Sequence, residues 1–562
     1  MIKHTRGALR ATMVSSIKAG LRSCVMGFAV LSVAAAGGFS PKPAAADPAP
    51  NIVVGDTFLF ARGLGPPNIG TLFSFRVVQA VYDGLTGWDG PGITAGDDPK
   101  PIPDLASDWT VSDDGLVYTF SLRPDVLFST GRPLNAEAVK ASFERAIQVL
   151  DNVGLAAQFP WTKWITDIVV EDELSIRFEF SQPYAAFAAA IAGGYFAIVD
   201  VEEAYAHEVD GDLGAEWLSV NSAGSGPYMF SADQYVAEQR MVLAANPHYW
   251  GGFDDIPAGA DRIVLVHIPE NATRQLMVAG GELDVALGLD PVALDSLRSD
   301  DRLSIEMFPS TLTCNFLPDL RMEPLAAKHP LVLQALRYGI DYQGFIDVVA
   351  GGVGLVQQTM FLPGMIGYEE STATYYDYDP EKSRELLAEA GFPDGFDITL
   401  RARDGSCGTV SYPKAMEWYQ QQLAKIGINA QIIHTTGGDF WGTVFDGDGK
   451  MRDVGISGLG AVYFDPDDPA NVRAIQHGRQ FGWEAVDPEA YARAQELTEL
   501  GQTEMNSEKR HEIYAELALL MVERAPQLTI MLAIDPVVLG PGVTGGVTAP
   551  GHFPIDYKYL TK

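Results

Sequence analysis

The clearest hydrophobic pattern of the chain predicts strands followed by a long helix. The β-prone residues Val117, Thr119 and Phe120 come after the Asp113-Asp114-Gly115 turn and predict a half-buried strand. Asn135 is a favourable N-cap residue, so a helix is expected to begin directly after it. The apolar residues that recur beyond it at helical spacing are Val139, Phe143, Ile147 and Leu150.

A second helix with a well-marked end is predicted farther along the chain. Gly391 and Pro393 stop it, and its inward positions are Ser383, Leu386, Leu387 and Ala390. Helices of this kind alternate with short β-prone runs, so the pattern predicts the α/β class. At 562 residues the chain is too long for one hydrophobic core, and two or more domains are expected.

The first 46 residues have the composition of a secretory signal peptide. A basic leader precedes an apolar stretch at residues 25–36, and Ala44-Ala45-Ala46 before Asp47 fits an A-x-A cleavage site. The apolar stretch is short for a permanent membrane anchor. Cys24 precedes this stretch, which argues against a lipoprotein. We therefore predict a cleaved signal peptide at residues 1–46 and a secreted, soluble protein in the periplasm.

The chain is strongly acidic, with 73 Asp and Glu against 39 Lys and Arg and a net charge of −34. Such a surface repels nucleic acid and anionic lipid, which argues against roles in binding DNA, RNA or membrane surfaces. It favours cationic or amine-bearing ligands, although salt screens this attraction beyond about 10 Å.

The sequence contains no catalytic signature. It lacks the H-E-x-x-H, Walker A and G-x-S-x-G motifs, and Gly455-Ile456-Ser457-Gly458-Leu459 departs from the last of these at its final position. No cysteine pair has the spacing of a zinc site. We therefore expect a protein that is not an enzyme and that uses no cofactor.

Short motifs in fixed order resemble those of the family 5 extracellular solute-binding proteins, the receptors of peptide and nickel importers. That family shows D-G-L, L-A-x-x-W, D-G-x-x-Y-T-F-x-L-R and A-x-x-V-x-x-S-F in succession. The corresponding segments here are residues 83–85, 105–109, 114–123 and 136–143. Later matches of the same kind lie at residues 226–228, 246–251, 281–285, 378–382 and 423–428. These segments indicate the scaffold and are not expected to touch a ligand.

The resemblance implies an α/β, two-lobed periplasmic-binding-protein fold of type II, whose lobes close over a central ligand. The implied parts are lobe I at residues 47–308, its extra small domain at 89–185, lobe II at 309–532 and the return to lobe I at 533–562. The chain would pass between the lobes near Pro309 and again near Leu532, and these two crossings would form the hinge. The implied function is capture of a small peptide by a monomer and its delivery to the permease subunits of an ABC importer.

Residues 460–471 carry the most informative polar side chains. In peptide-binding members of the family, an aspartate three residues before D-P-x-N pairs with the α-amine of the peptide. Asp468-Pro469-Ala470-Asn471 fits D-P-x-N, so the resemblance assigns the amine to Asp465. A carboxylate in a closed cleft binds an ammonium group by charge-assisted hydrogen bonds. The alternative is that Asp465 is a solvated residue of an acidic loop.

Dipeptide-binding members also place an arginine for the peptide's carboxylate before the L-A-K-x-G helix. An ungapped alignment puts Ser406 or Cys407 there, whereas a small gap would restore Arg403, whose planar guanidinium suits a carboxylate. A looser oligopeptide site, holding the ligand mostly through its backbone, is equally compatible. Trp441 is a further candidate for the lining of the cleft.

Nickel-binding members offer a second interpretation, because they carry a pocket tyrosine and, fourteen residues later, a metal-contacting histidine. Tyr463 and His477 match this spacing. Against nickel, Val153-Gly154-Leu155 and Gly193-Gly194-Tyr195-Phe196 replace the arginines that hold the chelator, and Leu459 replaces a tryptophan. A lone histidine is more often structural than a metal ligand. A sugar or opine ligand on the same scaffold is the third alternative.

Two cysteines, Cys314 and Cys407, remain after removal of the leader. A disulfide between them is allowed in an oxidising compartment. Their spacing leaves open whether they are bonded or free, and Cys407 is a candidate for the cleft in either case.

Overall fold

A computed structural model describes residues 51–57, 63–69, 72–88, 100–192, 194–253, 260–445, 451–546 and 555–562. These residues belong to one compact unit of the chain. The predicted signal peptide at 1–46 lies outside the described residues. None of the helices in the described ranges combines the length and the apolar character that crossing a bilayer requires.

Strands and helices alternate along the described residues. The strands are β1 Asn51–Asp56, β2 Thr86–Trp88, β3 Pro101–Pro103, β4 Ala106–Val111, β5 Val117–Leu122, β6 Ile165–Asp172, β7 Ser175–Phe180, β8 Tyr228–Met229, β9 Tyr235–Val236, β10 Arg240–Ala245, β11 Arg262–His267, β12 Val285–Leu287, β13 Ser304–Pro318, β14 Leu355–Val356, β15 Asp397–Arg403, β16 Ser406–Cys407, β17 Val410–Ser411, β18 Asn429–Thr435, β19 Val454–Gly460 and β20 Leu528–Leu539. The α-helices are α1 Leu72–Val81, α2 Ala136–Asn152, α3 Phe187–Ala190, α4 Val201–Ala206, α5 Ala215–Leu218, α6 Asn271–Gly280, α7 Pro291–Leu297, α8 Glu323–Lys328, α9 Leu331–Tyr338, α10 Tyr342–Val348, α11 Glu370–Ala373, α12 Pro380–Glu389, α13 Tyr412–Lys425, α14 Gly437–Phe445, α15 Gly478–Gln480, α16 Trp483–Val486, α17 Pro488–Thr503 and α18 Ser507–Arg524. Pro469–His477 forms a π-helix, and 3-10 turns lie at Ala156–Gln158, Pro160–Lys163, Gly194–Phe196, Ala232–Gln234 and Tyr557–Tyr559.

Both helices predicted from the hydrophobic pattern are confirmed. α2 begins after Asn135, whose side-chain oxygen accepts a hydrogen bond from the backbone N–H of Ala138 at 3.0 Å. Asp379 caps α12 in the same way. The chain turns away beyond α12 at Gly391, whose φ of +95° is a conformation that favours glycine.

The largest sheet has 12 strands, with the main order β18-β15-β19-β13-β20-β12-β1-β11-β10-β8. β1 pairs in parallel with β11 and β12 on one side, and β15 pairs in parallel with β18 and β19 on the other. The long antiparallel strands β13 and β20 connect the two sides. Their register shifts between Pro309 and Thr313, the latter facing Leu532. The predicted hinge crossings near Pro309 and Leu532 therefore lie at an irregularity of this pair.

A separate antiparallel sheet, β4-β5-β7-β6, lies within the predicted small domain at 89–185. α2 covers one face of this sheet through aromatic contacts. The rings of Phe143 in α2 and Phe178 in β7 are 4.7 Å apart, and Phe187 of α3 adds a ring 5.2 Å from Phe178. The apolar face predicted for α2 is thus buried against the small sheet.

The buried apolar residues form two large cores. The first contains residues from Ile52 to Leu287 and from the C-terminal segment, and the second contains residues from Cys314 to Ala533. Tyr463 is the exception, because it belongs to the first core although it lies within the sequence of the second. This division supports the predicted lobes, whose boundaries stay a prediction.

Cys314 and Cys407 are joined by a disulfide bond. The sequence alone left open whether these two residues are bonded or free. The bond links β13 to β16 inside the second core, and both residues are buried.

Candidate functional site

A cavity of about 330 Å³ lies between the first core and the loop after β19. The first core supplies most of its wall, including aromatic rings and acidic side chains. The loop after β19 supplies the opposite wall through Ala461, Val462, Tyr463 and Phe464. Enclosed, largely aromatic surfaces with a few polar groups are typical of small-ligand sites.

Two neighbouring carboxyl groups stand on the first-core side of the cavity. Asp83 accepts hydrogen bonds from Ser225 Oγ at 2.9 Å and from Trp250 Nε1 at 2.8 Å. Asp104 accepts one from the backbone N–H of Gly84 at 3.2 Å. Both residues line the cavity.

The surroundings of these two carboxyl groups raise the pKa of both. Burial raises the pKa of Asp104 to about 8, and the nearby charge of Asp83 adds to the rise. Burial likewise raises the pKa of Asp83. A cation that entered the cavity would favour the ionised forms of both groups.

Asp556 and Lys558 complete the polar part of the wall. Burial works to lower the pKa of the Lys558 ammonium group, but the charge of Asp556 and the Tyr249 hydroxyl outweigh it, so the pKa is raised. Asp83, Asp104, Asp556 and Lys558 together give three acids against one base. The wall is therefore net negative when all four groups are ionised.

The carboxylate of Asp465 is already paired within the protein. Arg510 donates to both of its oxygens, at 2.6 and 2.8 Å, and both side chains are buried. Asp465 is not among the residues that line the cavity. The prediction that it receives the amine of a ligand is therefore revised, because a buried guanidinium already neutralises its charge. Nor is it the solvated residue of the alternative interpretation.

The loop contains two Asp-Pro pairs, Asp465-Pro466 and Asp468-Pro469. The residue three positions before Asp465-Pro466 is Val462, which lines the cavity. The sequence-based alignment used Asp468-Pro469 instead, because only that pair completes D-P-x-N. The side chain three residues before the first pair is therefore apolar and lines the cavity, whereas Asp465, three residues before the second pair, does not.

Tyr463 lines the cavity and takes part in a buried hydrogen-bond network. Its hydroxyl donates to Asp467 Oδ2 at 2.6 Å, and the hydroxyl of Tyr184 donates to the same oxygen at 2.6 Å. Gln502 Nε2 donates to the other oxygen at 2.6 Å. Asp467 is fully buried. One carboxylate therefore connects Tyr184 of the first core to α17, which packs in the second.

Arg403 lies at the end of β15 and outside the described lining of the cavity. Its guanidinium donates to Ser457 Oγ at 3.0 Å and to Tyr412 OH at 3.1 Å, and it lies 4.4 Å from the centre of the Tyr412 ring. No carboxylate among the described residues forms an ion pair with it. Its role toward the carboxylate of a ligand stays a prediction.

Trp441 and Cys407 also lie outside the described lining of the cavity. Trp441 is partly buried against the second core, with its ring 5.8 Å from that of His477. Cys407 is completely buried and bonded to Cys314, so the suggestion that it contacts a ligand is corrected.

His477, the candidate metal ligand, is buried at the end of the π-helix between the rings of Trp441 and Phe481. Burial and the nearby charge of Arg473 lower the pKa of its imidazole well below the usual value. The hydroxyl of Tyr463 is bonded to Asp467. Within the described ranges, no group of three or more His, Cys, Asp or Glu side chains is arranged to hold a metal ion.

The π-helix also reaches across to the first core. Asn471 Nδ2 donates to the backbone oxygens of Ala157 at 3.2 Å and Gln158 at 3.3 Å. Gln476 Nε2 donates to the same oxygen of Ala157. The two sides of the structure are thus in direct polar contact beside the cavity.

A model of the bacterial extracellular solute-binding proteins, family 5, matches residues 100–479. The chain belongs to this family. The family assignment made from the short motifs is therefore confirmed, and so is its two-lobed fold class.

Two relatives of this solute-binding protein are named for small peptides. The glutathione-binding protein of Salmonella typhi is 30% identical over 381 residues, which is 68% of each chain. The probable D,D-dipeptide-binding periplasmic protein of Escherichia coli (strain K12) is 32% identical over 283 residues. That second match spans only about half of each protein, 50% of this chain and 51% of the relative.

Solved structures show the same fold. The dipeptide-binding protein from Pseudoalteromonas sp. SM9913, in complex with Met-Leu, gives a TM-score of 0.76 at 22% identity. The match covers 91% of this chain and 100% of the other. At this identity the likeness concerns the architecture alone.

Two groups of polar residues at this family 5 site escaped the sequence analysis. Asp83 lies inside a motif that indicates the scaffold, so its exposure to the cavity gave no separate signal. Asp468 and Arg473 lie in the acidic loop and the π-helix that follows. The clustering of charged residues in this segment was the one available signal, because buried charges need partners.

Proposed function

We propose that this protein captures small peptides in the periplasm and delivers them to the permease subunits of an ABC importer. The observation that carries the proposal is the cavity between the first core and the loop after β19, which is lined by aromatic rings and by three acidic side chains against one basic one. The names of the relatives, which refer to glutathione and to a dipeptide, support a small peptide as the ligand class.

The size of the cavity suits a short ligand. Sites for small molecules usually have volumes of roughly 300–1,000 Å³. At about 330 Å³, the cavity is near the lower end of this range. A ligand of two or three residues is therefore expected to fit better than a long oligopeptide.

The charge of the cavity suits an amine. Asp83, Asp104 and Asp556 outnumber Lys558 on one wall. Hydrogen bonds between an ammonium group and a carboxylate are roughly twice as strong as neutral ones. A peptide with a free amine, or with a basic side chain, would therefore gain affinity over its neutral analogue.

The contacts between the two sides support capture by closure. Asn471 and Gln476 bond to the backbone at Ala157, and Tyr184 bonds to Asp467. A ligand that touches both walls binds the closed arrangement better than an open one, so it shifts the population toward closure. The closed form would then be the one that the permease recognises.

Peptide capture in the periplasm requires that the protein is secreted and that its signal peptide is removed. Full-length protein expressed in a Gram-negative host should appear in the periplasmic fraction with Asp47 as its first residue. N-terminal sequencing that finds Met1 would contradict this.

Titration calorimetry and thermal shift on the mature protein test the ligand class. We expect dipeptides to bind and to raise the Tm, since a ligand at 100-fold its Kd adds about 2.7 kcal/mol to the free energy of unfolding. Acetylation of the dipeptide amine should weaken binding. The variant Asp104→Asn should also weaken it, whereas the matched exposed variant Asp301→Asn should not.

The same measurement separates the alternatives. Nickel with histidine, a monosaccharide panel and an opine such as agropinic acid are the comparison probes. Binding of one of these in the absence of any peptide binding would replace the proposed ligand. Equal affinity for free and acetylated dipeptides would remove the amine from the recognised groups.

A further inference from the structure

The carboxyl group of Asp104 lies alongside the segment that begins with Asp83. Its Oδ2 atom accepts a hydrogen bond from the backbone N–H of Gly84 at 3.2 Å. Farther along the same segment, a Cβ atom added to Gly87 would stand 3.6 Å from this oxygen. Both glycines and both acids line the cavity. Asp83 and Asp104 are therefore neighbours on one wall, and we name them the acid pair.

Each member of the acid pair has one carboxyl oxygen that accepts no hydrogen bond from a described residue. The Oδ2 atom of Asp83 is bonded by Ser225 and Trp250. The Oδ2 atom of Asp104 is bonded by Gly84. The two Oδ1 atoms remain, although Asp83 is buried with only 8% of its surface exposed. A group that entered the cavity would therefore meet two carboxyl oxygens that lack a donor.

Aromatic rings that line the cavity already hold two cations of the protein itself. The guanidinium of Arg123 lies 4.7 Å from the centre of the Trp250 ring, and the ammonium of Lys558 lies 4.6 Å from that of Tyr559. Both rings line the cavity. The face of an aromatic ring attracts a cation because of its electron distribution. The wall around the acid pair thus combines the two kinds of group that stabilise positive charge.

The charges of the lining leave the acid pair without a cation of its own. Lys558 is the base of the described lining, and its ammonium interacts most strongly with Asp556. Arg123 bonds the backbone oxygen of Asp104, not its carboxyl group. The α-amine of a peptide supplies one positive charge, whereas the ionised acid pair carries two negative ones. A ligand with a second cation would compensate both.

We propose that the acid pair and the rings beside it bind a basic side chain of the ligand, so that the protein prefers peptides containing arginine or lysine. The cation donates to the Oδ1 atoms of Asp83 and Asp104, and the apolar part of the side chain packs against the aromatic wall. The planar guanidinium of arginine carries several donors and can reach two separate acceptors at once. The inference rests on the proposed function and narrows its ligand class from small peptides to basic ones.

Citrulline provides a neutral probe of nearly the same shape as arginine. One oxygen atom replaces a nitrogen of the guanidinium group, so Gly-Arg and Gly-citrulline share their backbone, length and termini and differ in side-chain charge. Titration calorimetry with the wild-type mature protein should show that Gly-Arg binds at least tenfold more tightly, because hydrogen bonds between charged groups are roughly twice as strong as neutral ones. This comparison requires no substitution and cannot fail through misfolding.

Two substitutions should change this preference in opposite directions. Asp104→Asn removes one negative charge of the acid pair and should reduce the preference for Gly-Arg to below threefold. Lys558→Met removes the cation that competes with the ligand and keeps an unbranched side chain, so it should increase the preference about threefold or more. A variant that is merely misfolded would lose affinity for both peptides and would not increase their ratio.

Asp301→Asn is the matched control for Asp104→Asn. Asp301 is exposed and lies outside the described lining of the cavity. Its substitution changes the net charge of −34 by the same amount, so it measures the attraction that the whole chain exerts on any cation. The control should keep the preference of the wild type. An equal loss in both variants would assign the preference to the overall charge and overturn the inference.

The outcomes separate this inference from the proposed function. If Gly-citrulline binds to the wild type within threefold of Gly-Arg, peptide capture stands and the acid pair does not bind a basic side chain. The same conclusion follows if Lys558→Met lowers the preference for Gly-Arg while both peptides still bind. If no dipeptide binds at all, the proposed function fails, and this inference fails with it.

Discussion

Arg510 bonds both carboxylate oxygens of Asp465, at 2.6 and 2.8 Å, although the two residues are 45 positions apart in the chain. The pair is buried beside Asp467, whose own carboxylate is bonded by Tyr184, Tyr463 and Gln502. The acidic loop after β19 is therefore largely a buried structural element. Its acids mainly fasten the loop between the cores.

The first prediction concerns this ion pair. Asp465→Asn removes the charge that compensates Arg510, and breaking a buried pair from one side costs about 3–5 kcal/mol. Chemical denaturation should show this loss in the free energy of unfolding. The control is Glu516→Gln, which breaks an exposed pair with Arg493 and should cost about 1 kcal/mol or less. If Asp465→Asn is as stable as the wild type but no longer binds peptide, Asp465 binds the amine of the ligand after all.

The second prediction concerns the contact of Tyr184 with Asp467. Tyr184→Phe removes a hydrogen bond to a buried carboxylate that joins the two sides, so the closed arrangement should lose about 1–3 kcal/mol. In small-angle scattering without ligand, the variant should have a larger radius of gyration than the wild type. Tyr228→Phe, which removes a hydroxyl bonded to Ala260 within the first core, should leave the radius unchanged. Identical radii for all three proteins would show that this bond does not hold the two sides together.

The third prediction concerns the pH dependence of stability. Burial raises the pKa of Asp104 from 3.8 to about 8, so the folded state binds a proton that the unfolded state releases. The contribution of Asp104 to stability is therefore greatest below about pH 4 and is lost as the pH rises toward about 8. Asp104→Asn should lose this dependence. As the pH rises between these values, the denaturation midpoint of the variant should therefore increase relative to that of the wild type. The charges of Asp83, Arg123 and Lys558 act on Asp104, so these three residues are left unsubstituted in both proteins. Parallel pH profiles for both proteins would contradict the shift.

The fourth prediction concerns the disulfide. Cys314 and Cys407 are 93 positions apart, and a cross-link closing a loop of this length restricts the unfolded chain strongly. The double variant Cys314→Ser with Cys407→Ser should lose about 2–5 kcal/mol of stability. Reduction of the wild type should have a similar effect, while the double variant should not respond to reductant. A wild type that is equally stable with and without reductant would contradict this.

Local features of the fold were predictable from the sequence, whereas the site was predictable only in part. Asn135 caps α2 through contacts within four residues, so the sequence contains all the information that the cap requires. The partner of Asp465 is Arg510 of α18. An ion pair between residues 45 positions apart leaves no signal in the local sequence. Tyr463 lines that cavity, but the network that holds its hydroxyl could not be read from spacing.

The pairing of β13 with β20 determines how the molecule is expected to unfold. β13 also pairs with β19, and β20 also pairs with β12, so these two strands join the two sides into one sheet in spite of the register shifts between them. If one half lost its strands alone, the other would be left with a row of unpaired backbone groups, an aggregation-prone edge. Denaturation is thus expected to proceed as one cooperative transition in which neither half survives the loss of its neighbour.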